Sequence, residues 1–346
     1  MQNQKVKDSV LIFYLSLSTF TKRDILILSS KFNVKSFHFN TIRKYFLPFA
    51  FLKQFFFLVF NFHKYKSIII QSSGYLSFLP VIFGKIFNKK VIIIAIGTDC
   101  AKLPEINYGA HIRQPLSWFT NFSFKHATLI LPVHKSLEEN KYIYKKVKYQ
   151  NQGIRSFNPK IKTKIVEVVN GYDTEKWIIN GKERIKNSFL TVTLAINKIG
   201  YYRKGIDLII ALAKAYPKYK FTIVGKVYMD ETIPENVLLI DNLTQNKLLD
   251  IYNQHEYYLQ LSMFEGFPNA LCEAMLCGCI PIGSNVAGIP EIIGNSGYIL
   301  QRKNFDLLKK IFTDLKYNRF THEEVRNRIV FNFPLQKRKD LLLHHI

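Results

Sequence analysis

The chain has 346 residues, more than one hydrophobic core usually organises, so we expect two domains. Hydrophobic residues make up 48% and charged residues 21%, which is typical of a globular protein and excludes a largely disordered one. Because 49 lysines and arginines stand against 25 acidic residues, the net charge of +24 favours nucleic acid, anionic lipid or phosphorylated ligands as partners. The basic residues lie in short scattered clusters without a nucleic-acid-binding motif, so we predict no nucleic-acid partner.

Short β-rich apolar runs alternate with longer helical segments in the first half of the chain, which is the pattern of parallel βαβ units. Ser18, Thr19 and Thr21 are cap-type residues, and they predict the start of the first helix. The predicted strands are residues 10–15, 35–39, 67–71, 91–96, 128–131 and 165–169.

Residues 45–62 are strongly apolar and nearly long enough to span a bilayer. However, Pro48, Lys53, Gln54 and Asn61 lie within them, whereas a membrane span needs about 20 mostly uncharged residues. The basic residues that bracket the segment are Arg43, Lys44, Lys64 and Lys66. We therefore predict a very apolar helix, either buried in the core or docked on an anionic membrane surface, with a transmembrane span as the alternative.

A polar stretch separates the two halves, after which the alternation of strands and helices restarts. The predicted strands of the second half are residues 191–196, 220–224, 237–240, 257–261 and 280–283. The sequence therefore predicts the α/β class, with two Rossmann-like domains facing each other across a cleft. The predicted division is a first domain at residues 1–170, a linker at 171–186, a second domain at 187–329, and a C-terminal helix of about 330–346 that can pack back on the first domain.

Residues 262–297 are the most informative stretch, because a strand is predicted to end near Leu261 and a helix to open at Pro268. Free N–H groups at such a helix start, beside the carboxyl end of a strand, are a typical phosphate site. Glu265 and Glu273 flank it, and carboxylates can accept hydrogen bonds from sugar hydroxyls, although two solvated surface glutamates are the alternative. The predicted ligand-binding residues here are Glu265, Gly266, Phe267, Asn269, Ala270, Leu271 and Glu273.

This stretch resembles the signature of the retaining glycosyltransferases of family 4 (glycosyl transferases group 1), in which two glutamates are separated by seven residues. The similarity continues through Cys277-Gly278 and residues 287–291. It implies a GT-B fold, a nucleoside-diphosphate-sugar donor and retention of anomeric configuration. Carried over to this chain, it implies that Glu265 contacts the donor sugar as a catalytic residue and that Glu273 contacts the nucleotide ribose.

A second similarity lies in residues 197–210, where the family has a Gly-Arg pair followed by Lys-Gly-hydrophobic-Asp. Lys204 and Gly205 match the second part, which implies that Lys204 holds the donor diphosphate during catalysis. Lys198 replaces the arginine and loses its bidentate fork, so part of the diphosphate contact is expected to shift to Arg203. Since basic residues can neutralise a leaving diphosphate and no Asp-x-Asp pair occurs, we expect neither a metal nor another cofactor. Solvated surface lysines are the alternative.

Two shorter segments agree with this resemblance. Asn170, Gly171 and Asp173 resemble the family's turn at the domain junction. Gly225 follows a strand and resembles the glycine that lets nucleotide approach the backbone, although a simple turn glycine is an equally good interpretation.

The first half carries a weaker resemblance, in the segment Ile-Gly-Thr-Asp-Cys that begins at Ile96. Many family members have a histidine at the position of Ile96. Asp99 is therefore the best candidate of the first domain for a catalytic contact with the acceptor hydroxyl or donor sugar, with a loop or cap role as the alternative. After the first strand, Thr21, Lys22 and Arg23 can meet an anion. The histidines without a matching motif, interpreted as structural or surface residues, are His111, His126 and His134.

Taken together, the resemblance predicts a retaining, hexosyltransferase-type glycosyltransferase whose first domain binds a saccharide or lipid-linked saccharide acceptor, in bacterial surface polysaccharide synthesis. No covalent catalyst is expected, because the leaving diphosphate itself can take the acceptor proton. Four cysteines, three of them within eight residues, do not form a disulfide scaffold and point to a reducing compartment. Because the charge favours an anionic membrane, we expect a cytoplasmic protein at the inner face of the membrane. The alternative is a non-catalytic relative that serves as a binding or assembly partner.

Overall fold

A computed structural model describes residues 7–40, 44–228, 232–317 and 319–346. Its first half contains a six-stranded sheet in the order β2-β1-β3-β4-β5-β8, in which every pairing is parallel. The strands of this half are β1 (Ser9–Tyr14), β2 (Asn33–His38), β3 (Ser67–Gln71), β4 (Lys90–Ala95), β5 (Leu129–Pro132), the short ribbon of β6 (Asn140–Lys141) and β7 (Asn151–Gln152), and β8 (Lys164–Ile165). The helices are α1 (Thr19–Ser29), α2 (Leu47–Asn61), α3 (Tyr75–Ile86), α4 (Leu116–His126) and α5 (Ile154–Phe157).

A second six-stranded parallel sheet occupies the other half, in the order β11-β10-β9-β12-β13-β14. Its strands are β9 (Ile185–Ile196), β10 (Lys220–Val227), β11 (Val237–Ile240), β12 (His255–Gln260), β13 (Ile280–Ser284) and β14 (Tyr298–Leu300). The helices are α6 (Lys198–Arg203), α7 (Ile206–Ala215), α8 (Gln245–Gln254), α9 (Asn269–Leu276), α10 (Ile289–Ile293), α11 (Phe305–Asp314), α12 (His322–Asn332) and α13 (Leu335–His344).

The central strands explain why both halves form doubly wound sheets. Ile69 in β3 and Ile93 in β4 are fully buried together with their isoleucine neighbours, so the strands are covered on both faces, as parallel sheets require. The predicted α/β class with two Rossmann-like domains is confirmed. The prediction for residues 191–196 was too short, because β9 already begins at Ile185, within the stretch predicted as linker.

The two strand orders also fix where a ligand can bind. In the second sheet the order reverses between β9 and β12, and in the first sheet between β1 and β3. At such a switch point the loops leave in opposite directions and open a crevice at the carboxyl ends of the strands. The loops that follow β9, β12, β1 and β3 therefore form the candidate binding regions.

The C-terminal helix α13 packs on the first half through a buried ion pair. The guanidinium of Arg338 donates to both carboxylate oxygens of Asp24 in α1, at 2.7 and 2.8 Å, and neither side chain is exposed. Gln71 of β3 donates to the same carboxylate at 2.9 Å, and Arg338 also donates to the carbonyl of Val168. Because breaking one side of a buried pair leaves an uncompensated charge, this contact fixes the end of the chain against the first sheet.

Helix α2 lies largely on the surface. Of its fifteen residues only Gln54 and Leu58 are buried, although the helix is strongly apolar. Within the described ranges, no helix is long and apolar enough to cross a membrane. Arg43, predicted to flank this segment, lies outside the described residues.

Candidate functional site

At the switch point of the second sheet, the loops after β9 and β12 bring together the predicted catalytic pair. Lys204 donates to the carboxylate of Glu265 at 2.5 Å. Gly205 makes this approach possible: it adopts a φ of +73°, and a Cβ there would come within 2.3 Å of the Leu261 carbonyl oxygen. A non-glycine residue would therefore push Lys204 away from the end of β12.

The environment of Glu265 keeps its carboxylate ionised. Burial raises the pKa of Glu265, but the positive charges of Lys204 and Arg203 outweigh this effect and lower the pKa below its ordinary value. Ser262 donates to the same oxygen at 3.0 Å, and Arg203 lies 4.0 Å away. The side chains of Glu265, Lys204 and Arg203 keep 14%, 19% and 21% of their surface exposed, so this charged group can still meet a ligand.

Beside this group lies an open cavity of ≈ 430 Å³ whose walls include Tyr108, Asn197, Arg203 and Lys204. The guanidinium of Arg203 stacks over the ring of Tyr108 at 5.0 Å. Both cations predicted to hold a diphosphate therefore face a common space. Two sheets contribute to it, since Tyr108 belongs to the first half and the others to the second.

Lys198, also predicted to contact the donor, lies apart from this arrangement. It is exposed at the first residue of α6 and is not among the described residues that line the cavity. Asn197 caps this short helix, since its side chain accepts from the N–H of Gly200 at 2.8 Å. Lys198 follows the cap directly, and its side chain is exposed to solvent.

The loop that carries Glu265 leads into α9. Pro268 is extended and precedes the helix, so the first helical residue is Asn269, one position later than the sequence predicted. The side-chain oxygen of Asn269 accepts from Tyr172 at 2.8 Å, Arg23 at 3.3 Å and Asn170 at 3.4 Å. Arg23 comes from α1 of the first half, so this polar group, which we call the Asn269 cluster, joins the two domains.

The Asn269 cluster retains unused hydrogen-bonding capacity. Within the described part of the chain, the Nε of Arg23 and the side-chain oxygen of Asn170 are buried without a hydrogen-bond partner. Buried polar atoms are normally paired, so a donor and an acceptor remain for a polar ligand at the start of α9. Arg23 also lies over the ring of Tyr172 at 5.0 Å, which holds its guanidinium in the cleft.

Glu273 lies one turn into α9. Burial raises its pKa to about 7, against the opposing charge of Arg23 and a hydrogen bond from the hydroxyl of Tyr252 at 3.4 Å. Hydrogen-bond donors that favour the charged form stabilise a carboxylate whose pKa has been raised by burial. Ligand hydroxyls are such donors.

The remaining predicted residues serve mainly the packing around the site. Leu271 is fully buried, Ala270 is partly buried, and Phe267 packs on Phe333 with ring centroids 5.2 Å apart. Gly225 lies within β10 rather than after it, next to a shift in register, and a Cβ there would approach the Thr193 carbonyl oxygen of β9 to 2.6 Å. The close approach of β9 to β10 is therefore sufficient to explain why glycine is needed at this position.

Gly266 is required for the contact between the domains. A Cβ at this position would come within 2.3 Å of the carbonyl oxygen of Ile96. The loop after β4, at Ile96 and Gly97, therefore touches the loop after β12 directly. The two candidate binding regions are in backbone contact.

Asp99, predicted as a catalytic contact for the acceptor or donor, lines a cavity at the switch point of the first sheet, and its carboxylate has backbone partners. It is buried, and its carboxylate accepts from the backbone N–H groups of Ser73 at 2.9 Å, Ile96 at 3.2 Å and Gly97 at 2.9 Å. Burial raises its pKa, while these hydrogen bonds lower it. The carboxylate thus holds the loops after β3 and β4 together, which is the loop role that the sequence left open.

His134 takes part in an interdomain contact that the sequence did not indicate. It is buried, and its Nε2 lies 3.2 Å from the carboxylate of Glu291, which also pairs with Lys135 at 2.8 Å. The only available signal was that Glu291 belongs to the motif resembling the glycosyltransferases. By contrast, His111 is buried beside the backbone carbonyl of Asp99 at 3.0 Å, as expected for a structural residue.

A second cavity, of ≈ 320 Å³, lies at the switch point of the first sheet. Its walls are mostly apolar, with Leu15, Tyr75 and Leu116 among them, and Ser73 adds a hydroxyl. Ile96 also lines it, so the cavity reaches the contact between the two domains. We call it the first-domain cavity.

Comparison with known families gives a match in the second half. Residues 182–332 match the family described as "Glycosyl transferases group 1". A phosphatidylinositol N-acetylglucosaminyltransferase gpi3 subunit of Schizosaccharomyces pombe is 29% identical over 168 residues, covering 41% of this chain and 36% of the relative. A human phosphatidylinositol N-acetylglucosaminyltransferase subunit is 28% identical over 123 residues, covering 32% of this chain and 25% of the human protein. The chain thus matches about a third or less of the length of these relatives.

Solved structures match over nearly the whole chain. Sucrose-phosphate synthase from Thermosynechococcus elongatus has a TM-score of 0.71 and 10% identity, covering 98% of both chains. HepE of Anabaena, in complex with UDP and glucose, has a TM-score of 0.69 and 13% identity, covering 97% of this chain and 98% of HepE. The lipopolysaccharide outer core galactosyltransferase WaaB has a TM-score of 0.63 and 15% identity, covering 98% and 100%. The chain therefore has the two-domain GT-B fold, and its residues 182–332 are similar to the glycosyl transferases group 1 family.

Proposed function

We propose that the chain is a hexosyltransferase that transfers a sugar from a nucleoside-diphosphate-sugar donor, with retention of configuration, to a saccharide or lipid-linked saccharide. The observation that carries this proposal is the group formed by Glu265, Lys204 and Arg203 in the loops after β9 and β12, at the switch point of the second sheet. A ligand fitting between them carries negative charge for the lysine and arginine and hydroxyl donors for the carboxylates.

The donor would use each part of this site differently. Lys204 and Arg203 face the diphosphate, together with the free N–H groups at the start of α9, as anion sites of this kind do. Glu265 accepts from the hydroxyls of the transferred sugar, and Glu273 from those of the ribose. Because UDP is bound in the similar HepE structures, uridine nucleotides are the first donors to test.

The chemical step needs no protein nucleophile in this proposal. The bond between the anomeric carbon and the diphosphate breaks, the acceptor oxygen attacks the same face, and its proton passes to the leaving diphosphate. Lys204 and Arg203 stabilise the negative charge that develops on the diphosphate in the transition state. Electrostatic stabilisation of this kind is usually the largest single contribution to catalysis. Since two cations already supply positive potential, we propose that the reaction proceeds without a divalent metal.

The acceptor would bind at the first-domain cavity, beside Ile96. Its apolar walls favour an acceptor with an apolar portion over a fully hydrated saccharide. The names of two groups of relatives support this: the gpi3 subunit is a phosphatidylinositol N-acetylglucosaminyltransferase, and WaaB a lipopolysaccharide core galactosyltransferase. We therefore propose a lipid-linked acceptor of a bacterial surface polysaccharide and a protein working at the inner face of the cytoplasmic membrane.

A second candidate function is a non-catalytic partner that retains the fold. It is favoured by the replacement of the family's histidine with Ile96 and by the position of Lys198 outside the site. Thermal unfolding with UDP-, GDP- and dTDP-sugars, followed by product analysis, separates the two. Stabilisation by one nucleotide sugar together with transfer or slow hydrolysis supports the enzyme, and binding without any turnover supports the partner.

The matched variants for this test are Glu273→Gln and Glu323→Gln, the latter an exposed glutamate on α12. Only the first is expected to reduce stabilisation by the donor. A chelator is expected to leave transfer unchanged, and loss of activity restored by Mg²⁺ or Mn²⁺ would contradict the metal-independent step. If no nucleotide sugar stabilises the protein, the proposed donor is wrong.

A further inference from the structure

The surface of the first domain exposes an unusual number of aromatic side chains. They come from α2, from the residue after α3 and from α4, each being between 41% and 68% exposed: Phe49, Phe55, Phe56, Phe60, Phe87 and Trp118. Single exposed apolar residues are normal, whereas a contiguous apolar patch marks an interaction surface. We call this surface the aromatic face.

Ring contacts link the three helices beneath the aromatic face. Phe55 of α2 packs on Phe83 of α3 at 5.9 Å, and Phe83 packs on Phe87 at 5.9 Å. Towards the other side, Phe78 of α3 packs on Trp118 of α4 at 5.6 Å. Helix α3 therefore joins the exposed rings of α2 to those of α4, since it contacts both helices through its own phenylalanines.

The charge around the aromatic face has one sign. Residues 25–98 contain ten lysines and arginines and no aspartate or glutamate. Among the basic residues on or beside the helices of the face, Lys53, Lys64, Lys85 and Lys125 are exposed. An apolar surface that is bordered by cations without anions is complementary to a partner with an apolar interior and a negatively charged outer layer.

We propose that the aromatic face docks on an anionic lipid bilayer. A second copy of this chain is a poorer occupant, because each copy carries a net charge of +24 and the same basic border. At 1.5 Å per residue the fifteen residues of α2 extend about 22 Å, less than the bilayer core of about 30 Å, so the helix lies along the interface instead of crossing it. Phenylalanine and tryptophan side chains then enter the boundary between headgroups and acyl chains.

Docking would serve the proposed function through the first-domain cavity. Leu47, Tyr75 and Leu116 line this cavity, and they are the first residues of α2, α3 and α4. The aromatic face and the cavity are thus built on the same three helices, and an acceptor held in the bilayer has a short path to Ile96. This consequence for the acceptor rests on the proposed function, whereas docking itself does not.

Sedimentation with vesicles tests the docking. The full chain is mixed with vesicles of phosphatidylcholine alone and of equimolar phosphatidylcholine and phosphatidylglycerol. We expect binding to the mixed vesicles that weakens as salt is raised, and little binding to phosphatidylcholine. Equal binding to both vesicles, or none to either, overturns the proposal, whatever the outcome of the nucleotide-sugar tests.

Two pairs of variants assign the binding to this face. Lys53→Glu with Lys64→Glu should lower the partition coefficient at least roughly 25-fold, at about fivefold per removed cation, whereas Lys214→Glu with Lys218→Glu in the second domain should not. Phe56→Ser with Phe60→Ser should lower it by at least about tenfold, with Phe331→Ser on α12 as control. Equal effects of test and control variants, or a dimer that the phenylalanine variants abolish, contradict bilayer docking.

Discussion

Replacing Lys204 with methionine is the sharpest test of the donor site. The ammonium of Lys204 lies 2.5 Å from Glu265, and both side chains are mostly buried. Methionine keeps much of the length and apolar volume of lysine but removes its charge. The matched control is Lys198→Met, since Lys198 was predicted from the sequence to contact the same diphosphate but lies exposed outside the cavity.

The two replacements should differ widely in their effect on nucleotide affinity. A hydrogen bond to a charged group contributes about 1.5–3 kcal/mol, so losing Lys204 should weaken diphosphate binding about 10- to 150-fold. The upper part of this range is expected, because the carboxylate of Glu265 loses its nearest cation and then repels the diphosphate. A surface charge contributes about 0–1 kcal/mol, which limits the loss at Lys198 to about fivefold.

Titration calorimetry with a free nucleoside diphosphate measures this difference without any contribution from the sugar. Thermal unfolding of both variants verifies that each retains the fold. If Lys198→Met loses as much affinity as Lys204→Met, the assignment of the diphosphate to Lys204 and Arg203 is wrong. If neither loses affinity, the donor does not bind at this end of the second sheet.

Three further predictions concern stability and the contact between the domains. Burial raises the pKa of Glu273 to about 7 in the folded state, above its ordinary value, so folding takes up a proton. The free energy of unfolding should therefore fall as pH rises towards and through 7. Glu273→Gln should reduce this fall, as measured by denaturant titrations at pH 5 and 7.5. Arg338→Ala leaves Asp24 charged and buried, which should cost about 3–5 kcal/mol of unfolding free energy, whereas replacing both partners with apolar residues should recover most of it. Gly266→Ala introduces a Cβ within 2.3 Å of the Ile96 carbonyl oxygen. Transfer activity should therefore fall at least about tenfold, while the melting temperature changes little. A Gly266→Ala variant that keeps its activity would contradict the need for this close contact.

The architecture could be predicted from the sequence because its signals are local. Uninterrupted isoleucine runs in β3 and β4 identify strands covered on both faces, and their alternation with helices identifies parallel sheets. Lys204 and Glu265 were identified through the family resemblance, and the structure adds that they pair, since both come after neighbouring strands at the switch point. Lys198 lies only six residues from Lys204, yet it is exposed and does not line the cavity, and spacing alone does not contain that information.

Contacts between distant segments could not be predicted in the same way. Arg23 and Asn269 are separated by 246 positions, and His134 and Glu291 by 157, so only the arrangement of the two domains brings them together. Asp99 shows the related difficulty for a single residue. Its carboxylate looks available in the sequence, whereas three backbone N–H groups already occupy it in the fold.

The proposed function gives a chemical reason why sequence motifs are easier to identify in the second half of the chain than in the first. A nucleoside diphosphate presents the same charges and hydroxyls whichever sugar it carries, so the residues that bind it, such as Lys204 and Glu273, can stay alike among enzymes with different acceptors. The acceptor has no such common group, and in this proposal the first domain would bind it through the shape and polarity of a cavity lined by Leu15, Tyr75 and Leu116. Motifs therefore identify a donor site from one sequence, whereas an acceptor has to be inferred from an assembled surface.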